Sequence, residues 1–242
     1  MEPKTGDAFG LMLQAHHDGK SVLELVERDD GFIAGGPPGR YFTAPPAWPE
    51  YERRMLDRLD RPTLDIGTGA GRFALALQER GVPVTGLDTS PAAIRVSAAL
   101  GVRATVCATV QRHAVDAAGA YERFLLAGNN LGLLSSAEAA PGFLAALAAM
   151  AAPGAIVVAQ GSDPYATDDA AHLAYHERNR ARGRMGGQLR MRVRYRTLAT
   201  DWFDYLFLTP DELAELVRDT DWTLSEVDDA EPPGYVATLR RR

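Results

Sequence analysis

This 242-residue chain has one cysteine, two lysines and no long apolar run. A lone Cys107 excludes an intrachain disulfide and any metal site built on several thiolates, so a reducing, cytoplasmic setting is expected. The longest unbroken apolar run, Phe143 to Ala152, is far too short to cross a bilayer. The stretch Met1 to Asp7 lacks a basic region leading into an apolar one, so neither secretion nor a membrane is expected. Net positive charge is also missing: the balance is −6, which argues against a dedicated nucleic-acid binder. His172 and His176 stand four apart on one predicted helix face, with Asp168 a turn earlier. They lack a glutamate after the first histidine and a third ligand, so no metal is expected. Because only Lys4 and Lys20 are lysines, arginine supplies the basic charge, and we read this as compositional bias. A hydrophobic content of 46% is ample for one core domain with or without a lid.

Glycine is present where it has a chemical use. Leu64, Asp65 and Ile66 end a short apolar strand, and Gly67, Thr68, Gly69, Ala70 and Gly71 follow as a turn whose glycines allow close backbone approach to a ligand. A helix over about Arg72 to Arg80 stops at Gly81. A second strand through Val82, Val84 and Leu87 ends in Asp88, placed to accept hydrogen bonds from ribose hydroxyls. Ser90 and Pro91 open the next helix. In dinucleotide fingerprints the third glycine comes three residues after the second; here it comes two after, and Arg72 stands at the dinucleotide position.

The stretch therefore resembles motif I of class I S-adenosylmethionine-dependent methyltransferases, acid-x-Gly-x-Gly-x-Gly, carried by Asp65, Gly67, Gly69 and Gly71. The resemblance implies S-adenosylmethionine as cofactor, a glycine loop lying against its methionine and ribose parts, and Asp88 on the ribose. It extends the expected cofactor set to Thr68, Arg72, Thr89, Thr109, Gly128 and Asn129, with Thr109 standing in for the absent acid that often follows the third strand. Arg40 and Tyr41, ahead of the helix leading into the first core strand, are placed to fold over the cofactor, Arg40 neutralising its methionine carboxylate.

The expected fold is α/β, a doubly wound Rossmann-like methyltransferase sheet of seven strands whose last hairpin is antiparallel. Its later strands are expected at Ala104 to Thr109, Phe124 to Gly128, Ile156 to Gln160, Thr223 to Val227 and Tyr235 to Leu239. Helices are expected at about Ala137 to Met150 and at Thr209 to Asp219, the latter opened by Thr209, Pro210 and Glu212. The chain divides into an N-terminal cap segment (1–47), a cofactor-binding core (48–161), a lid and substrate insertion (162–208) and the C-terminal part of the core (209–242). In the insertion a helix over Asp168 to Arg182 precedes a period-two stretch, Leu189, Met191, Val193 and Tyr195 against Arg190, Arg192, Arg194 and Arg196. The chain returns through Trp202, Phe203, Tyr205 and Phe207, predicting a helix plus β-hairpin lid with one aromatic face.

Because a sulfonium methyl is already electrophilic, the protein must chiefly align the nucleophile and exclude water; a proton acceptor helps when the nucleophile is protonated. The turn Gly128-Asn129-Asn130 is similar to the Gly-Asn-Ser loop of glycine N-methyltransferases, which implies that Asn129, with Asn130 beside it, contacts the acceptor. The alternative is that both shape a turn. The arginine that those enzymes carry after the fifth strand is replaced by Gly161-Ser162-Asp163-Pro164-Tyr165, so glycine is not the expected acceptor. His172 and His176 are candidate bases, against a surface or capping role. Tyr165, Arg190, Trp202 and Tyr205 are candidate acceptor contacts, against packing and solvated roles. The expected activity is methyl transfer to an oxygen or nitrogen of a small molecule, in specialised metabolism. An RNA or protein methyltransferase and a non-catalytic S-adenosylmethionine-binding protein are the alternatives. The expected partner is a small-molecule acceptor, with self-association left open.

Overall fold

The computed structural model describes residues 3–242; Met1 and Glu2, the first residues of the expected cap segment, lie outside the described residues. In chain order the elements are β1 (Lys4–Thr5), α1 (Ala8–His17), β2 (Glu24–Arg28), β3 (Ile33–Gly36), α2 (Glu50–Asp57), β4 (Thr63–Ile66), α3 (Arg72–Glu79), β5 (Val84–Asp88), α4 (Pro91–Ala99) and β6 (Thr105–Cys107). They continue with α5 (Val110–Ala114), β7 (Tyr121–Leu126), α6 (Ala140–Met150), β8 (Ala151–Ser162), α7 (Ala170–Ala181), β9 (Gln188–Tyr195), β10 (Leu198–Ala199), β11 (Phe203–Leu206), α8 (Pro210–Val217), β12 (Trp222–Asp229) and β13 (Gly234–Arg241). Short 3₁₀ turns lie at Pro38–Phe42, Pro45–Ala47 and Asn130–Leu134.

The seven-stranded sheet runs β12-β13-β8-β7-β4-β5-β6. Strands β4 to β8 are parallel, and β13 and β12 close the edge antiparallel. The parallel strands are apolar on both faces because helices cover both. One face packs Phe124, Leu144, Leu147, Leu213 and Trp222, the other Met55, Leu59, Phe73, Leu77 and Val158, all fully or nearly fully buried. Trp222 satisfies its indole N–H on the Leu144 carbonyl at 2.9 Å. The helix starts are encoded locally. Ser90 caps α4 through the Ala93 N–H with Pro91 at the first position, and Thr209 and Glu212 form a reciprocal capping box on α8. Strand β8 starts earlier than the expected Ile156, because Pro153-Gly154 is absorbed as a bulge: Tyr121 pairs with Ala151, and Arg123 pairs with Ile156.

A second sheet joins the amino-terminal segment to the insertion. Its order is β1-β10-β9-β2-β3, and β11 pairs with β9 on the same side as β10. The expected pairing of the Leu189 to Tyr195 stretch with the returning aromatic strand is present, Tyr205 opposite Leu189 and Phe203 opposite Met191. The hairpin does not stand alone. Strand β2 lies along its other edge, Val26 opposite Val193, and Gly35 and Gly36 pair as part of β3 with β2. Alternation puts Glu24, Val26 and Arg28 on the same face as Met191, Val193 and Tyr205, while Glu27 pairs with Arg192 and Arg194 on the other face. No helix among the described residues is long and apolar enough to cross a membrane.

Candidate active site

The glycine loop leaves the carboxyl end of β4 with Gly67, Gly69 and Gly71 all at positive φ (70°, 57° and 85°). At Gly71 a side chain is doubly excluded, since a Cβ would also meet Val102 Cγ2 at 2.5 Å. Asp65 is buried beneath the loop and accepts the Thr68 hydroxyl at 2.7 Å. Burial pushes its carboxyl up to about 6, opposed by the Thr68 hydrogen bond. Asp88, at the end of β5, accepts the Gly69 N–H and the Ser90 N–H, each at 2.9 Å. Burial raises its pKa as well, and these backbone donors work against the rise. A carboxylate with two backbone bonds retains lone pairs for further donors, so Asp88 can fix the loop and still receive hydroxyls.

Helix α1 lies across this loop. Asp7 caps it through the Gly10 N–H at 3.1 Å and reaches over to α4, accepting from Ser90 Oγ (2.7 Å) and Ala92 N–H (2.9 Å). Gly10 permits the approach, since a Cβ there would sit 2.0 Å from Ser90 Oγ. Phe9 and Leu13 stand 4.0 Å from where a Gly69 Cβ would be. Asp7 escaped sequence analysis; its legible signal was a capping acid three residues before Gly10.

The turn after β7 forms the other wall. Gly128 and Asn129 both take positive φ, and the Gly128 N–H donates to Gln160 Oε1 at 2.9 Å. Gln160, a buried polar residue near the end of the apolar strand β8, is a second position that sequence analysis missed. The Tyr205 hydroxyl donates to the Asn129 carbonyl at 2.8 Å, its ring seated on Gly132, where a Cβ would lie 2.1 Å away. Asn129 Oδ1 is buried with no hydrogen-bond partner. Asn130 is spent on structure instead: its amide donates to the carbonyls of Ile66 (2.9 Å) and Gly67 (3.1 Å), tying this turn to the glycine loop.

Several other expected contacts have different partners. Arg72 makes a two-pronged ion pair with Glu52 (2.6 and 2.7 Å) and stacks on Trp48 and Phe73, so α2 takes the side chain that was read as facing cofactor. Thr109 is exposed and caps α5 through the Arg112 N–H, and Thr89, also exposed, meets Cys107 through its carbonyl. Arg40 pairs with Glu24, and the Tyr41 hydroxyl donates to Glu24 at 2.8 Å. Tyr165 donates to Glu212 at 2.6 Å, Arg190 pairs across strands with Asp204, and Trp202 lies under Arg192. His172 contacts Arg28 (3.1 Å) and packs on Phe32. His176 is buried against Tyr165, its pKa lowered by burial and then by Arg180. Through these contacts α7 meets the β2–β3 turn at His172 and Tyr165 at His176. Of the four acceptor candidates outside the asparagine turn, Tyr205 alone is joined to that turn. A hollow between Pro62, Val84, Arg103 and Tyr121 lies at the amino ends of the strands, opposite the edge where doubly wound sheets bind ligands.

Among the described residues no group of three or more histidines, cysteines or acids is arranged to hold a metal. No curated protein matches the sequence. The solved structures that share the fold include a SAM-dependent methyltransferase from Bacteroides fragilis in complex with S-adenosyl-L-homocysteine, 23% identical, covering 97% of this chain and 94% of that one with a TM-score of 0.83. The CcbJ methyltransferase from Streptomyces caelestis is 17% identical over 98% of this chain and 99% of its own, with a TM-score of 0.62. The 1,6-didemethyltoxoflavin-N1-methyltransferase from Burkholderia thailandensis, solved with 1,6-didemethyltoxoflavin and S-adenosylhomocysteine, is 21% identical over 79% and 78%, with a TM-score of 0.54. A family model described as a methyltransferase domain matches residues 44–227, and on that match the chain belongs to the methyltransferase-domain family as a class I, Rossmann-like S-adenosylmethionine-dependent methyltransferase.

Proposed function

We propose that this enzyme methylates an oxygen or nitrogen of a small molecule held between the carboxyl edge of the seven-stranded sheet and the inner face of the second sheet. The observation that carries this reading is Asn129 Oδ1, a buried oxygen left without a partner on the residue whose carbonyl accepts the Tyr205 hydroxyl. A buried unpaired polar atom costs about 1–3 kcal/mol, and an acceptor molecule donating to it would remove that cost. On this reading the backbone of Gly67 and Gly69 supports the cofactor, Asp88 receives its ribose hydroxyls, and Gly128 and Asn129 border the reacting end. The bound cofactor supplies an electrophilic methyl group. Helix α1 and the second sheet, acting as the lid, exclude water, and Tyr205 fixes the turn that carries Asn129. A net charge of −6 disfavours RNA as acceptor, and the Glu27 pairing of Arg192 and Arg194 removes two of the arginines that would hold a phosphate backbone.

Calorimetry with S-adenosylmethionine and S-adenosylhomocysteine, on wild type and Asp88→Ala with NAD and NADP as controls, tests the cofactor contacts. Binding of both sulfur compounds that collapses in the variant is expected. Radiolabelled methyl transfer to small-molecule pools then tests the acceptor site through Asn129→Gly, which keeps the positive φ and removes the side chain. A loss of at least tenfold with unchanged cofactor affinity is expected; equal transfer by wild type and variant overturns the role of Asn129.

A further inference from the structure

Glu24 is the one acid of β2 on the inner face of the second sheet, and it is 5% exposed. Nothing in the sequence pattern marks it. A buried carboxylate persists only when paired and hydrogen-bonded, and Glu24 has two partners: the Tyr41 hydroxyl on Oε1 and the Arg40 guanidinium on Oε2. The two ends of the ion pair are unequal. The Glu24 side chain is 7% exposed, whereas that of Arg40 is 60% exposed, so Arg40 can return to water while Glu24 cannot. The other buried charge of β2 is not available in this way: Arg28 is closed by two bonds to Asp30 (2.8 and 2.7 Å) and stacked on Tyr175.

Glu24 and Tyr205 stand on the same face of the second sheet, and Tyr205 holds the turn that carries Asn129. The Tyr205 phenol, which donates to the Asn129 carbonyl, is pushed up first by burial and then by Tyr41 and Glu24. The free acceptors are therefore the Asn129 Oδ1 atom and the remaining lone pairs of Glu24, of which Glu24 alone carries charge; the Asn129 amide nitrogen beside them is a neutral donor. The Tyr205 and Tyr41 hydroxyl protons are already spent. A guest that satisfies such a pair must bring hydrogen-bond donors, and one that displaces a guanidinium must bring positive charge.

Resting on the small-molecule acceptor reading above, we propose that the acceptor carries an amine, held as its ammonium by Glu24 after Arg40 gives way. The amine is the handle by which the acceptor is held.

The test uses the full chain saturated with S-adenosylhomocysteine. The probes are matched pairs sharing a carbon skeleton, benzylamine with benzyl alcohol and cyclohexylamine with cyclohexanol, and binding is read by saturation-transfer NMR. Amines are expected to bind at least tenfold better than their alcohols. Glu24→Gln is expected to erase that preference at unchanged S-adenosylhomocysteine affinity. Arg40→Gln, which removes the competing cation, is expected to tighten the amines severalfold. A purely structural ion pair would make both variants move together, so opposite movement is the diagnostic result. Should Glu24→Gln fail to fold, Arg40→Gln alone still decides, since weaker or unchanged amine binding there overturns the exchange. Alcohols binding as well as or better than amines overturns this inference and leaves the acceptor chamber standing. S-adenosylhomocysteine binding with no small molecule of either class bound overturns both.

Discussion

Asp65 allows the electrostatics of the glycine loop to be tested without knowing the acceptor. Its carboxyl rises from an ordinary 3.8 to about 6 on folding, chiefly because burial disfavours the charged form. Between those two values the folded chain binds more protons than the unfolded chain, so this group makes stability fall as pH rises through the window. At about 1.4 kcal/mol per pH unit, the rise corresponds to about 2 kcal/mol lost between pH 4 and pH 6.5. Asp65→Asn removes the titration while keeping an oxygen for the Thr68 hydroxyl, whose bond to Asp65 is 2.7 Å. The absolute offset between variant and wild type includes the cost of an amide N–H in a site built for acceptors, about 1–3 kcal/mol. The change of that offset with pH does not include it. Urea denaturation of both proteins at half-unit steps from pH 4 to 7.5 should show the variant gaining on wild type by about 2 kcal/mol across the window. An offset constant with pH would refute the burial argument, and one moving the other way would show that Thr68 and the charge of Arg72 outweigh burial.

Other perturbations separate structure from site. Arg72→Ala strands Glu52 in a nearly buried position and should cost about 3–5 kcal/mol in chemical denaturation, with the cofactor affinity proposed to rest on Asp88 and Gly69 retained. Tyr205→Phe removes one of two donors to the Asn129 carbonyl, which keeps the Gly132 N–H, and should cost about 0.5–1.5 kcal/mol, with methyl transfer falling more than cofactor affinity. Asp7→Ala removes three bonds to its oxygens, the α1 cap among them; a loss of about 1–2 kcal/mol and faster S-adenosylhomocysteine dissociation in stopped flow are expected. Gly71→Ala combines a φ of 85° with a 2.5 Å approach to Val102 and should abolish cofactor binding by calorimetry.

What the sequence determined by itself is local. The glycine loop, Asp65, Asp88, the capped starts of α4 and α8 and the period-two stretch 189–195 were all legible, because spacing and capping act within a few residues of chain. The same holds for the cofactor class, since the interval between glycines already distinguishes it from a dinucleotide fold. Tertiary structure decided who meets whom. Asn129 and Asn130 are adjacent and alike in sequence, yet the proximity of the glycine loop takes the Asn130 amide and leaves Asn129 Oδ1 free. Arg72 and Arg40 read as cofactor contacts, and long-range partners, Glu52 and Glu24, take both. The insertion read as a hairpin becomes part of a sheet only because β2, from the far end of the chain, supplies its other edge. Such pairings join residues 16 to over 160 positions apart, and an unpaired buried charge or strand edge costs enough that the fold must satisfy it with whatever packs beside it.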